Sequence, residues 1–264
     1  MSPPSNIGIF DSGFGGLTVM NAIRRVLPHE NIVYFGDTAR LPYGNKSPET
    51  VLRYAVECSN FLLNKEIKLL VIACHTACSL ALDELTSTFP LPIIGVIPPA
   101  VEELARLQRK EKIAILGTRA TIASGVYQDK IREQLPHSRI SAIACPLFVP
   151  LVEEGYTHHP LAEMAIQEYL RPLREEKIDA ALLGCTHYPL MQALIQKELG
   201  KEVALIDPAL ACADKVAELL RVENLLNSQT GQPRYQFYVS DDPAKFRLLG
   251  QQFLSYPIED VRTV

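Results

Sequence analysis

Four short runs rich in Val, Ile and Leu, each followed by an amphipathic stretch, occur twice in this chain in the same order. The runs are Ile7–Phe10, Ile32–Phe35, Leu69–Ala73 and Ile93–Val96, then Ile113–Leu116, Ile140–Ala144, Ala180–Leu183 and Val203–Ile206. Helix-like stretches lie between them, among them Leu17–Val26, Pro48–Leu63, Pro98–Arg109, Ile122–Gln134, Leu161–Leu173 and Tyr188–Leu199. Short buried strands alternating with helices predict an α/β fold built on doubly wound parallel sheets. The two sets match in detail. Position 7 corresponds to 113, 32 to 140, 74 to 185 and 97 to 206, a nearly constant offset. One such match means little where every strand is made of the same residues, but four in order indicate an internal duplication. The chain therefore divides into two similar domains: residues 1–97 joined by 208–264, and residues 98–207, with the active site expected in the cleft between them. The segment after residue 208 is too short for a core of its own. Its helical start (Cys212–Arg221), polar stretch (Asn227–Arg234) and short strand (Tyr235–Val239) predict an appendage packed back on the first domain.

Bulk properties exclude several classes of function. A chain of 264 residues with 47% hydrophobic content and a mean hydropathy near zero describes a globular protein with a real core. The net charge of −4 leaves no basic footprint for nucleic acid or an anionic membrane. No apolar run approaches the ~20 residues that a membrane-spanning helix needs. The N-terminal Met-Ser-Pro-Pro-Ser-Asn lacks a basic, then long apolar, signal pattern, which predicts a cytoplasmic protein. In that reducing compartment the six cysteines are expected to be free thiols.

Ligands of doubly wound sheets bind beyond the carboxyl ends of the strands. In the first half those ends carry Asp11-Ser12-Gly13-Phe14-Gly15-Gly16, Asp37-Thr38 and Cys74-His75-Thr76. In the second half they carry Gly117-Thr118 with Thr121, Cys145-Pro146 and Cys185-Thr186-His187-Tyr188. The glycine-rich loop is neither a phosphate-binding P-loop nor a dinucleotide fingerprint. Taken singly, Asp11, Ser12, Asp37, Thr118 and Thr121 are ordinary turn and cap residues, and Cys74 an ordinary buried thiol. The duplication gives Cys74 and Cys185 more weight. Equivalent strand ends in facing domains present two thiols from opposite sides of one cleft, each near the positive end of a following helix, where thiol pKa falls. One thiolate removes a proton from a carbon while the opposite thiol delivers one to its other face, and the stereocentre inverts. Asp11 and His187 stand at neighbouring strand ends as partners for this proton traffic.

Six motifs together resemble those of the glutamate racemases, cofactor-independent enzymes of the aspartate/glutamate racemase superfamily. They are Asp11–Gly16, Leu41-Pro42-Tyr43-Gly44, Ala73-Cys74 with Thr76-Ala77, Gly117-Thr118, the stretch from Pro146 to Gly155, and Gly184-Cys185-Thr186-His187-Tyr188-Pro189. The resemblance runs from about residue 7 to 207. It implies interconversion of L- and D-glutamate, supplying D-glutamate for bacterial peptidoglycan, with no cofactor or metal. It also implies Cys74 acting on the D-isomer and Cys185 on the L-isomer, assisted by Asp11 and His187, with support from Asp37 and Glu153. Substrate contacts would come from Asp11, Ser12, Tyr43, Gly44, His75, Thr76, Thr118, Thr121, Thr186 and His187. Family members are usually homodimers.

One residue departs from the family pattern: His75 stands where an Asn usually follows the first cysteine. An imidazole is larger than an amide and titrates near neutrality. Protonated beside Cys74, it would lower that thiol's pKa; neutral, it would crowd or reshape the substrate site. His75 thus opens two rival readings, a racemase of weak or altered specificity for another acidic amino acid and a degenerate binding protein. A third rival is a zinc site drawn from Cys74, His75, Cys78, Cys185 and His187, which would remove the thiols from proton transfer.

Overall fold

The computed structural model describes residues 6–227, 232–254 and 256–264. The N-terminal Met-Ser-Pro-Pro-Ser stretch and part of the polar segment at 227–234 lie outside the described residues.

Two parallel sheets form the framework. In the first, strands β1 (Asn6–Asp11), β2 (Asn31–Gly36), β3 (Ile67–Ile72) and β4 (Ile93–Gly95) are ordered β2-β1-β3-β4. In the second, β5 (Lys112–Gly117), β6 (Arg139–Ala144), β7 (Ala180–Gly184) and β8 (Ala204–Ile206) are ordered β6-β5-β7-β8. Replacing each strand by its sequence equivalent turns one order into the other, so the repeat in sequence is a repeat in topology. The central strands are covered on both faces: every residue of β3 and of β7 is buried. That is why they read as continuous apolar runs with no alternation.

Helices α1 (Leu17–Val26), α2 (Pro48–Leu63) and α3 (His75–Thr88) follow β1, β2 and β3. In the second half α5 (Arg119–Ala123) and α6 (Val126–Gln134) follow β5, α7 (Phe148–Glu153) and α8 (Pro160–Leu170) follow β6, and α9 (Gln192–Leu199) follows β7. The single helix expected over Ile122–Gln134 is broken at Gly125, whose φ of 74° lies in the left-handed region. Helices α4 (Ile97–Arg106) and α10 (Pro208–Val222) exchange sides: α4 leaves the first sheet and packs on α6, β7 and β8, while α10 leaves the second and packs on α1.

The tail holds more structure than its sequence suggested. Strand β9 (Tyr235–Val239) pairs in parallel with β2 and extends the first sheet. Beyond it come α11 (Pro243–Phe253) and β10 (Val261–Thr263), which pairs with β9 and completes a six-stranded sheet. At the amino-terminal edge of that sheet a buried ion pair joins Lys68 on β3 to Glu30, and Lys68 also donates to the Leu225 carbonyl at 2.6 Å. No helix among the described residues is long and apolar enough to cross a membrane.

Candidate active site

All strands in each sheet are parallel, so their carboxyl ends share one edge, and the two edges face each other. One narrow cavity between them is lined by Ser12, Tyr43, Gly44, Cys74, His75 and Thr76 from the first half. From the second half come Thr118, Glu153, Cys185, Thr186 and His187. Contacts across the cleft hold the halves in register: the Thr18 hydroxyl on α1 donates to the Thr186 carbonyl at 3.2 Å.

Cys74 sits between β3 and α3, where its carbonyl accepts from Cys78 N–H at 2.7 Å and opens the helix. Its thiol donates to the Ser12 hydroxyl at 3.3 Å. Burial first, and then the charge of Asp11, push the Cys74 thiol up to about 12, although Ser12 and the Ala77 N–H at the start of α3 pull the other way. Cys74 is therefore a protonated thiol at neutral pH, the form that gives a proton. Asp11, at the end of β1, is fully buried; Oδ2 accepts from Gly13 N–H at 2.8 Å, while Oδ1 is buried with no hydrogen-bond partner. Burial raises its pKa, and the nearby positive charge of His187 opposes that rise.

Cys185 has different company. Its sulfur lies 3.8 Å from Nδ1 of His187, and Nε2 of His187 lies 3.1 Å from Oε1 of Glu153. Burial works against a charge on His187, but its hydrogen bonds to Cys185 and Glu153 outweigh that and raise its pKa to about 10. His187 is thus an imidazolium at neutral pH, held between a sulfur and a carboxylate. The two thiols stand at equivalent places with unlike partners: a hydroxyl and helix N–H groups at Cys74, a fixed cation at Cys185.

The remaining polar residues set the walls. The hydroxyls of Thr76, Thr118 and Thr121 form a triangle with sides of 3.0, 3.2 and 2.9 Å, joining the first half to the second. Thr118 and Thr76 face the cavity, while Thr121 is fully buried behind them. Gly44 lies so close that a Cβ there would stand 2.7 Å from Cβ of Thr118. Asp37 is not at the cavity. It accepts from Arg40 Nε at 2.7 Å, from the Ser240 hydroxyl at 2.8 Å and from the Tyr43 hydroxyl, so it reaches the site only through Tyr43.

His75 does not carry the charge that its titration near neutrality suggested. Burial pushes it down to about 3. Its Nδ1 is 2.9 Å from the hydroxyl of Tyr127 on α6, in the other half. No group of three or more His, Cys, Asp or Glu among the described residues is arranged to hold a metal ion. Cys78 is turned away from Cys74 toward Gly95 and the backbone N–H groups of Val96 and Ile97.

Sequence reasoning passed over Gly13, Leu41, Pro42 and Val149, which also line the cavity, and Tyr127 behind it. The first four lie in or beside quoted motifs, but a small or apolar residue there has no signature of its own. Tyr127 reads only as an apolar position of a helix. A broader surface groove near Lys110, His137 and Asp179 lies at the opposite, amino-terminal edge of the second sheet and holds none of the motifs.

Comparison with known proteins identifies the relatives of this arrangement. Residues 7–216 match the family model described as Asp/Glu/Hydantoin racemase. The chain belongs to the Asp/Glu/Hydantoin racemase family. Within it, a glutamate racemase of Syntrophus aciditrophicus is 46% identical over 258 residues, covering 98% of this chain and 96% of the relative. The crystal structure of glutamate racemase from Francisella tularensis in complex with D-glutamate superposes with a TM-score of 0.93 at 38% identity, covering 99% of this chain and 97% of that one. A glutamate racemase isoform of Bacillus anthracis superposes with a TM-score of 0.95 at 36% identity, covering 98% and 97%.

Proposed function

We propose that this chain is a glutamate racemase that inverts the α-carbon with two thiols, Cys74 and Cys185, and supplies D-glutamate for peptidoglycan. The observation that carries the mechanism is one cavity holding both cysteines from equivalent strand ends, one as a protonated thiol and the other against an imidazolium.

With L-glutamate, the Cys185 thiolate, stabilised by His187, takes the α-proton; Cys74 delivers its own proton to the opposite face. The product is D-glutamate, and the enzyme is left with a Cys185 thiol and a Cys74 thiolate. That pair is the starting state for D-glutamate, so the cycle closes without a cofactor. Asp11 and the first turn of α3 act on Cys74, Glu153 holds His187, and Asp37 supports Tyr43 from behind. Hydroxyls and N–H groups at Ser12, Tyr43, Gly44, Thr76, Thr118 and Thr186, with His75 and His187, bind the carboxylates. These donors fix the carboxylates in place and stabilise the negative charge that passes to the α-carboxylate as the proton leaves. Thr121 positions Thr76 and Thr118. We further infer division into domains at residues 97/98 and 207/208, where α4 and α10 change sides, and, from family resemblance, a cytoplasmic homodimer.

The test is α-proton exchange with solvent deuterium, run on each glutamate enantiomer with wild type, Cys74→Ser and Cys185→Ser. Wild type should invert both isomers and either variant should lose racemisation. Full racemisation by both variants would overturn the mechanism.

A further inference from the structure

The hydrogen bond between Tyr127 and His75 has a chemical consequence for carboxylate binding. Tyr127 is fully buried on α6, its ring stacked on the imidazole with centroids 6.0 Å apart and an interplanar angle of 22°. Burial raises the pKa of its hydroxyl well above the ordinary value, so the group keeps its proton. A buried phenol must place that proton on an acceptor. Among the described residues the acceptor in reach is Nδ1 of His75, at 2.9 Å. A ring nitrogen that accepts is unprotonated, so in the neutral imidazole the hydrogen belongs to Nε2. His75 lines the cavity directly beside Cys74 and Thr76. The same ring with the opposite tautomer would offer the cavity a lone pair, which repels a carboxylate.

We propose that Tyr127 is a positioning residue that holds His75 as the Nε2–H tautomer, turning the histidine into a neutral donor for a glutamate carboxylate. This rests on the racemase reading given above. The bond also spans the cleft: His75 begins α3 in the first half, and Tyr127 belongs to the second. Held in this way, His75 offers a carboxylate one directed N–H without adding a second cation to the site that already holds the His187 imidazolium.

Three variants form the test: Tyr127→Phe, His75→Asn and the double variant, each measured for kcat and KM with both enantiomers. Phenylalanine keeps the ring and removes only the hydroxyl, and a thermal melt reports whether the fold survives. Loss of one directed hydrogen bond to a charged group is expected to raise KM about tenfold in Tyr127→Phe. The change in kcat should be smaller. In the His75→Asn background, removing the hydroxyl should alter KM by less than about twofold, because no tautomer remains to be set. An equal loss in both backgrounds would mean that Tyr127 acts only through packing and would overturn the proposal, as would an unchanged KM in Tyr127→Phe. NMR of isotopically labelled histidine gives a direct reading that does not depend on turnover. His75 should show the Nε2–H tautomer in wild type, and the Nδ1–H tautomer there would also overturn the proposal. If wild type failed to racemise glutamate, the racemase reading itself would fail, while the NMR result would still decide the tautomer.

Discussion

Glu153→Gln separates the charge of Glu153 from its shape. Glu153 Oε1 stands 3.1 Å from His187 Nε2, and the carboxylate side chain is only 12% exposed, so little solvent screens the pair. A hydrogen bond to a charged group in such a setting contributes about 1.5–3 kcal/mol, and about 1.4 kcal/mol corresponds to one pH unit. Replacing the carboxylate by an amide should therefore lower the His187 pKa from about 10 by roughly one to two pH units. In the proposed mechanism the imidazolium faces the sulfur that takes the α-proton, so activity should fall on the alkaline side as His187 loses its proton. The pH profile of kcat/KM should keep its shape near neutrality in the variant, and its alkaline limb should move down by that amount. L- and D-glutamate have equal free energies in water, so kcat/KM must change by the same factor in both directions; that equality is an internal control on the assay. The stability profile should follow the same sign. A raised folded-state pKa contributes stability that is fully present below the unfolded value of about 6.5 and is lost as pH rises through the folded value. Wild type should thus lose this contribution as pH climbs toward about 10, and Glu153→Gln at a lower pH. An unmoved alkaline limb in a folded variant would refute the assignment of Glu153 as the group that holds the proton on His187.

Gly44→Ala would force a methyl to within 2.7 Å of the Thr118 side chain. Overpacking of this kind costs about 1–3 kcal/mol. Because Thr118 belongs to the threonine triangle, the expected readout is a raised KM for both enantiomers; an unchanged KM would show that the loop moves aside freely. Glu30→Gln leaves the buried Lys68 without its counter-charge, far from the site at the other edge of the sheet. Chemical denaturation should show a loss of about 3–5 kcal/mol, the usual effect of breaking a buried ion pair. Racemisation by the remaining folded enzyme should be unaltered, and a fall in kcat without loss of stability would contradict this.

The parallel strands, the repeated order of elements and the positions of Cys74, Cys185, Asp11 and His187 were all written in local residue patterns. A doubly covered strand must be apolar throughout, and the polar residues that follow it must lie at the carboxyl edge. Sequence spacing therefore carried these features without help from distant contacts, and family motifs added the substrate class. Other features depended on residues far apart in the chain. Asp37 reads like Asp11, yet three partners hold it behind Tyr43, one of them Ser240 from the tail. The break at Gly125 and the strand β10 follow from backbone conformation and from pairing with β9, neither of which has a strong local signature.

His75 marks the division most clearly. Its sequence position announced a titratable ring beside a thiol, but the charge of that ring depends on the groups that surround it. Burial keeps it neutral, and the hydroxyl of Tyr127, 52 residues away, makes it a partner in a bond across the cleft. The sequence by itself determined which chemistry was present and at which strand ends it stood. Only the tertiary structure decided protonation, partners and reach, because those depend on desolvation and on groups that the chain brings together through folding.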